Sequence, residues 1–233
     1  MEKKDRLWPN GPCFYYDTGL FPPGTDSFVL ACFARPAHGD TVCDLGSGTG
    51  LLGTLLLARD DTLTLENVEL SAPAMALARK TFAENGWTDR ASFHEGDLRD
   101  VSVLPRAGSV DYVISNPPYF PSGSGASARG EARRMAREES GCTLADVCAA
   151  ARRVLRWGGR FALVHRAERL TDVLCALREH GIEPKRLRFL VKSPDAAPSL
   201  LFVEGKRGGK SGLVIEPPLL PGSPEWARVY FRE

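Results

Sequence analysis

A short run of the sequence, Ser115-Asn116-Pro117-Pro118-Tyr119, combines groups suited to holding a flat amino or amide group. Two consecutive prolines remove two backbone N–H donors and stiffen the turn, so the Asn116 side-chain oxygen and the Pro117 carbonyl remain as acceptors. Such acceptors would fix a planar NH2 group, and Tyr119 would stack on the flat substrate. The candidate catalytic residues are therefore Asn116, Pro117, Pro118 and Tyr119. The alternative interpretation is a rigid proline turn that only ends a strand.

A second motif is rich in glycine and begins with an acid, Asp44-Leu45-Gly46-Ser47-Gly48-Thr49-Gly50. Glycines between a strand and a helix let a ligand lie against the backbone. Dinucleotide sites prefer the spacing Gly-x-Gly-x-x-Gly and bind a pyrophosphate, which Asp44 would repel. S-adenosylmethionine carries an ammonium and a sulfonium and no phosphate, so this loop favours it over a nicotinamide cofactor. The candidate cofactor residues here are Asp44, Gly46, Gly48 and Gly50.

Two further acids end predicted strands and extend the candidate cofactor site. A carboxylate at Glu69 can accept hydrogen bonds from both hydroxyls of a ribose, and Leu70 follows it. Asp97 can accept a hydrogen bond from an adenine amino group while Leu98 packs against the ring. Asp97 is equally open to interpretation as a helix-capping residue.

The elements that must position these motifs alternate between strand and helix. Strands are predicted at 41–45, 62–70, 91–95, 110–115, 160–165, 185–192 and 200–204, with a possible short one at 214–215. Helices are predicted at 27–34, 50–59, 72–85, 144–157 and 168–180, the first with Thr25 or Asp26 as its N-cap. This order predicts an α/β fold with a mostly parallel sheet covered by helices on both faces, and ligands at the carboxyl ends of the strands. Residues 1–40 are predicted to form a leader with a short strand at 13–17, and residues 41–233 a single catalytic domain.

Composition narrows the possible partners. A chain of 233 residues with a net charge of +1 is no polycation, so a nucleic-acid site must be a local patch. None of the six cysteines forms a Cys-x-x-Cys pair and the four histidines are scattered, so no metal site is expected. The longest nearly apolar run, residues 50–58, is too short to span a bilayer. A cytoplasmic protein without a membrane segment is expected, with a monomer as the default.

Together the motifs resemble the class I methyltransferases of amino and amide nitrogens. That resemblance implies a Rossmann-like fold with a mostly parallel seven-stranded sheet, and S-adenosylmethionine as the cofactor. The segments Leu20-Phe-Pro-Pro-Gly-Thr-Asp-Ser27, Asp44-Leu-Gly-Ser-Gly-Thr-Gly-Leu-Leu52, Val68-Glu-Leu70 and Ile114-Ser-Asn-Pro-Pro-Tyr119 look like the bacterial tRNA adenine-N6 methyltransferase family. This family methylates the adenine just 3′ of the anticodon in a valine tRNA, and the similarity spans about residues 11–205.

The resemblance also implies roles for individual residues. By resemblance the cofactor would be held by Asp44, Gly46, Glu69 and Asp97, and the target base by Asn116 and Tyr119. Thr25 and Asp26 would lie over the cofactor site, and Asn116 is a candidate cofactor contact as well.

Several alternatives remain open at this stage. A release-factor glutamine N5-methyltransferase would use the same Asn-Pro-Pro-Tyr motif, although that family carries a sizeable helical domain ahead of the catalytic one. Another RNA or DNA amino-group methyltransferase and a non-catalytic RNA-binding protein on this fold also fit.

RNA is the expected substrate partner, and arginines after the motif are candidate contacts. On a helix Arg129, Arg133 and Arg137 would share one face, and Arg134 lies beside them. Further cations are predicted to form a basic rim beside the site: Arg152, Arg153, Arg156, Lys185, Arg186, Arg188 and Lys192. The alternative is a solvated charged face, because Glu131, Glu138 and Glu139 are interspersed.

Overall fold

A central sheet of eight strands organises the chain in a computed structural model that describes residues 1–20, 23–117 and 141–230. The strands are β3 (Thr41–Leu45), β4 (Thr64–Glu69), β5 (Ala91–Glu95), β6 (Val110–Ser115), β7 (Leu155–Arg166), β8 (Ile182–Leu190), β9 (Leu200–Arg207) and β10 (Val214–Ile215). Their order is β10-β8-β9-β7-β6-β3-β4-β5, and only β9 runs antiparallel to its neighbours. The predicted mostly parallel α/β sheet is confirmed. The eighth strand is the two-residue edge strand that the sequence left as a possibility.

Helices cover both faces of this sheet. They are α1 (Thr25–Phe33), α2 (Leu51–Leu57), α3 (Ala72–Glu84), α4 (Leu144–Val154), α5 (Leu170–Glu179) and α6 (Pro224–Val229). Alternate residues of β6 enter different cores: Ile114 packs with residues of α1 and α2, and Val113 packs with residues of α4 and α5. Burial on both faces explains why a central strand such as β6 reads as a nearly continuous apolar run. No helix in the described part of the chain is long and apolar enough to cross a membrane.

The leader packs onto the same core as the rest of the chain. Two antiparallel strands, β1 (Glu2–Arg6) and β2 (Cys13–Asp17), form a separate small sheet. Phe14 of β2 is buried in one cluster with α1 and α2, and the Asn85 side chain accepts from and donates to the backbone of Cys13 at 2.9 and 2.8 Å. The sequence did not reveal β1 because all five of its side chains are exposed, so no hydrophobic alternation marks it.

Several predicted boundaries differ from the structure, and two of the differences concern helix ends. The helix predicted to reach residue 157 ends at Val154, and Leu155 already belongs to β7 because it is buried beside Val110 of β6. The N-cap of α1 is Gly24, with φ −111° and ψ 149°, and no side chain caps the helix. Thr25 and Asp26, the predicted caps, are the first two helical residues, and the Asp26 carboxylate accepts instead from the neighbouring Ser27 N–H at 2.9 Å.

Candidate active site

The glycine loop joins the end of β3 to the start of α2. Gly46, Gly48 and Gly50 have φ values of 76°, 56° and 81°, a left-handed region that side chains rarely adopt. The N–H groups of Gly46 and Ser47 both donate to the Val68 carbonyl, at 2.9 and 3.0 Å. These bonds hold the loop against the end of β4, so the carboxyl ends of two neighbouring strands form one surface.

The three glycines differ in what surrounds them. A Cβ atom placed on Gly46 or Gly48 would meet no atom within 4 Å, so the loop borders open space on that side. A Cβ on Gly50 would lie 3.0 Å from both Ala78 and Phe82 of α3. Gly50 therefore allows α2 and α3 to pack, whereas Gly46 and Gly48 leave room for a ligand against the backbone.

Asp44 lies at the base of the loop and is completely buried. Neither of its carboxylate oxygens has a partner within hydrogen-bonding geometry among the described residues. Burial, with a further contribution from the nearby Glu69 carboxylate, raises the pKa of Asp44 to about 8, and the Gly53 amide opposes this rise only partly. A buried acid without a partner is costly, and a cationic group placed beside it would relieve that cost.

Glu69 ends β4 and binds the glycine loop. Its carboxylate accepts from the Gly48 N–H and from the Ser71 N–H, both at 2.7 Å. Burial raises the pKa of Glu69, and the backbone N–H groups that it accepts from oppose this effect. Two carboxylate oxygens offer about four acceptor sites, so two of them remain for a ligand. The following Leu70 is 47% exposed, an unusual apolar surface at this position.

Asp97 follows β5 and is held by its own neighbour. The Arg99 guanidinium donates from Nε to both carboxylate oxygens at 3.0 Å and from Nη2 to Oδ2 at 2.5 Å, which lowers the pKa of Asp97. A turn and not a helix follows, so the helix-capping interpretation is wrong. Leu98 is partly buried against the core. The Gly96 N–H donates to the Glu69 carbonyl at 2.9 Å, which joins this strand end to the same surface.

Asn116 directly follows β6, and hydrogen bonds link this strand end to α1 and to β3. Its Nδ2 donates to the Ser27 hydroxyl of α1 at 3.0 Å. The preceding Ser115 donates to the Leu45 carbonyl at 2.7 Å, which fixes the motif against the start of the glycine loop. Pro117 is buried, and Pro118 and Tyr119 lie outside the described residues. Ser27 was missed at the sequence level, and its only signal is that it directly follows Gly24-Thr25-Asp26.

Thr25 lies beneath the carboxyl-terminal helix. The Tyr230 hydroxyl donates to the Thr25 hydroxyl at 3.0 Å, and the Tyr230 ring stacks on Phe28 at a centroid distance of 5.0 Å. This contact was not foreseeable from local patterns, because the tail is rich in proline. It brings α6 to the amino end of α1.

The predicted arginine contacts divide into two groups. Arg129, Arg133, Arg134 and Arg137 lie outside the described residues. The basic rim predicted beside the site is wrong for several members, because α4 runs back to the amino ends of the strands and places Arg152, Arg153 and Arg156 there. Two others are engaged in ion pairs: Arg186 with Glu204 and Glu216, and Arg188 with Glu225.

Four strand ends therefore border one open surface. It holds a buried acid that has no partner in the described part of the chain, two glycines beside open space, an exposed leucine and an asparagine fixed by hydrogen bonding. This set fits S-adenosylmethionine, because the cofactor offers an ammonium for the acid, ribose hydroxyls for a carboxylate and a flat purine for an apolar side chain. Across residues 1–20, 23–117 and 141–230, no three His, Cys, Asp or Glu side chains are grouped in a way that could hold a metal ion.

Comparisons with known proteins agree with this geometry. The family model described as "Methyltransferase small domain" matches residues 21–179. The tRNA1(Val) (adenine(37)-N6)-methyltransferase of Aeromonas salmonicida is 32% identical over 72% of this chain and 69% of its own length. The protein of the same name from Parabacteroides distasonis is 27% identical over 82% of this chain and 78% of its own length. A crystal structure described as a predicted O-methyltransferase from Agrobacterium tumefaciens superposes with a TM-score of 0.72 at 18% identity, covering 89% and 96% of the two chains.

The similarity to the solved structure shows a shared fold. The family model and the two relatives show family membership as well. The matched family region spans the glycine loop, the Asn116 motif, α4 and α5. The chain is an S-adenosylmethionine-dependent methyltransferase and belongs to the family of the tRNA1(Val) (adenine(37)-N6)-methyltransferases.

Proposed function

We propose that this protein transfers a methyl group to the N6 atom of adenine in a tRNA, at position 37 beside the anticodon. The observation that carries the proposal is the fixed Asn116 carboxamide at the end of β6, next to the glycine loop. The named activity of the relatives supplies the substrate class.

Asn116 acts through the orientation of its amide. Because Nδ2 donates to the Ser27 hydroxyl, the two ends of the carboxamide are distinguished, and Oδ1 is the end that we assign to the target amino group. An acceptor on that NH2 group positions its nitrogen and stabilises the positive charge that develops there as the new bond forms. The Pro117 carbonyl would supply the second acceptor, and Pro118 and Tyr119 would complete the turn and stack on the base.

The cofactor supplies an electrophilic methyl group on its sulfonium. In the proposed site Asp44 accepts from its ammonium, and Gly46 and Gly48 let it lie against the loop. Glu69 accepts from the ribose hydroxyls while it keeps its bonds to the loop. Leu70 and Leu98 pack on the adenine of the cofactor, and Asp97 accepts from its amino group. Gly50 contributes indirectly, because it allows α2 and α3 to pack closely. Thr25 and Asp26 close this side from the start of α1.

Catalysis in this proposal is mainly positioning. Holding a nucleophile and an electrophile in line can lower a barrier by several kcal/mol, up to about 7–11 in ideal cases. The RNA side would be contacted by Arg129, Arg133, Arg134 and Arg137, which follow the motif in sequence. A tRNA substrate places the protein in the cytoplasm.

A protein glutamine is the second candidate substrate, because an amide NH2 group would meet the same acceptors. The two substrates are separated by offering radiolabelled S-adenosylmethionine with unmodified tRNA, duplex DNA or a release factor in parallel. The proposal predicts label in tRNA only, recovered as N6-methyladenosine after digestion to nucleosides. Label in the release factor, or in DNA but not in tRNA, would refute it.

A further inference from the structure

A cleft of about 330 Å³ lies at the amino ends of the parallel strands, whereas the glycine loop lies at their carboxyl ends. It is formed where α4 ends, β7 begins, α5 ends and the antiparallel β9 ends. Its lining includes Arg152, Trp157, Arg178, Glu183 and Arg207, none of which belongs to the proposed active site. The function proposed above therefore leaves this cleft unexplained.

The cleft carries an excess of positive charge. Three arginines and one glutamate line it, which leaves two positive charges uncompensated. Arg178 is paired with Glu183 at 3.2 Å, and Arg207 donates to the Leu155 carbonyl, which is neutral. No hydrogen bond or ion pair links the Arg152 guanidinium to the part of the chain that the structure describes. Arg152 and Arg207 are therefore available to bind an anion.

An aromatic ring stands beside these cations. The Trp157 side chain is 74% exposed, which is unusual for the largest apolar side chain. It rests on Gly208, whose φ is 67° and where a Cβ atom would come within 2.3 Å of the indole. Only glycine fits beneath the ring, and this packing against Gly208 keeps a broad face of the Trp157 indole in contact with solvent.

We propose that this cleft is a second RNA-contact site, in which Arg152 and Arg207 bind phosphate oxygens and Trp157 stacks on an unpaired base. Guanidinium groups bind phosphate through paired hydrogen bonds, and base–aromatic stacking is tolerant of sequence. The inference rests on the proposed function for its choice of RNA as the ligand. It adds a contact that lies outside the methylation site.

The two sites are far enough apart to contact different parts of one RNA. Leu163 of β7 pairs with Ser115 of β6, next to the catalytic motif. At the other end of β6, Val110 pairs with Leu155, close to Trp157, and the five residue steps from Val110 to Ser115 at ~3.3 Å each correspond to about 17 Å. A short RNA that fills only the methylation site would not reach the cleft, whereas a whole tRNA would.

The test is the affinity of the full chain for a labelled unmodified tRNA, measured by fluorescence anisotropy at fixed salt. Arg152→Glu and Trp157→Ala are each expected to weaken binding roughly tenfold. Arg153→Glu is the matched control, because it makes the same charge change on the same helix outside the cleft, and it should alter the affinity less than twofold. S-adenosylmethionine affinity should be unchanged in all three variants, which verifies that they fold.

The outcomes separate this inference from the function on which it rests. Wild-type tRNA affinity in both cleft variants, or an equal loss in the Arg153→Glu control, would overturn the cleft site and leave the function intact. Selective loss of binding in the cleft variants, combined with absent methyl transfer to any tRNA, would refute the function and support the cleft. Quenching of tryptophan fluorescence by an acidic peptide but not by an RNA oligonucleotide, present in the wild type and lost in Trp157→Ala, would also overturn the inference.

Discussion

Replacing Asp44 by asparagine should stabilise the cofactor-free protein while impairing its binding site. The native carboxyl group is fully buried without a hydrogen-bond partner among residues 1–20, 23–117 and 141–230, and its pKa is about 8 in place of the ordinary 3.8. A carboxyl group whose pKa is raised on folding binds more protons in the folded state than in the unfolded chain. Its contribution to stability is therefore greatest at low pH and is lost as the pH rises from about 4 to about 8.

The magnitude follows from that difference in pKa. At 1.36 kcal/mol per pH unit, the interval from 3.8 to about 8 corresponds to an upper limit of roughly 6 kcal/mol. Two effects reduce it: the effective dielectric around buried groups exceeds that of a dry interior, and a buried amide without partners itself costs about 1–3 kcal/mol. We expect Asp44→Asn to be more stable than the wild type by about 1–3 kcal/mol at pH 8 and by much less at pH 4.

Urea unfolding of both proteins without cofactor, at several values of pH, measures this directly. Equal stability at pH 8, or a difference that does not grow between pH 4 and pH 8, would refute the argument that Asp44 is an unsatisfied buried acid. Asp44→Asn should at the same time weaken S-adenosylmethionine binding, because an amide cannot balance the charge of an ammonium. Asp44→Ala should weaken binding as well, and unchanged affinity in calorimetry would contradict the assigned role.

Four further predictions concern the same surface. Cofactor binding near pH 7 should release a proton from wild-type Asp44, because the bound ammonium favours the ionised carboxylate. Calorimetry in buffers of different ionisation enthalpy detects the released proton. If Asp44→Asn released as many protons on binding as the wild type, Asp44 would not be their source. Asn116→Ala should lower kcat at least ~100-fold with cofactor affinity nearly unchanged, because it removes an acceptor that acts on the reacting nitrogen; near-normal turnover would disprove the clamp. Ser27→Ala should lower kcat roughly tenfold by releasing the Asn116 amide, and Ser27→Thr should restore most of it if hydrogen bonding is the cause. Gly50→Ala should destabilise the fold by more than the ~1 kcal/mol expected for backbone strain, because its Cβ would also contact α3. Gly48→Ala should destabilise the fold by only about 1 kcal/mol and should mainly weaken cofactor binding. Equal unfolding midpoints for the two variants would contradict this difference.

Local sequence patterns predicted most of the helices and strands and their alternation along the chain. The strand Val110–Ser115 lies where its apolar run predicted it, because a central parallel strand covered on both faces must be largely apolar. The motifs around Asp44, Glu69 and Asn116 were predicted at the carboxyl ends of strands, and the sheet brings those ends to one surface.

Features that depend on tertiary contacts were not predictable. The Asn116–Ser27 bond joins residues 89 positions apart, and nothing in either local sequence encodes the contact. The position of Arg152 and Arg153 is a different case, because a helix that leads into the next parallel strand must end at the amino edge of the sheet, and the predicted element order already implied this. The bond between Tyr230 and Thr25 depends on a tail whose path the local pattern did not constrain.

The most direct test of the central claim is the nucleoside product formed by wild type and Asn116→Ala on the same unmodified valine tRNA. Each protein is first shown to bind S-adenosylmethionine, so that a loss of product cannot be attributed to a loss of cofactor. The wild type should yield N6-methyladenosine at the position next to the anticodon, and Asn116→Ala should yield none. A different methylated nucleoside, or the same yield from both proteins, would contradict this claim.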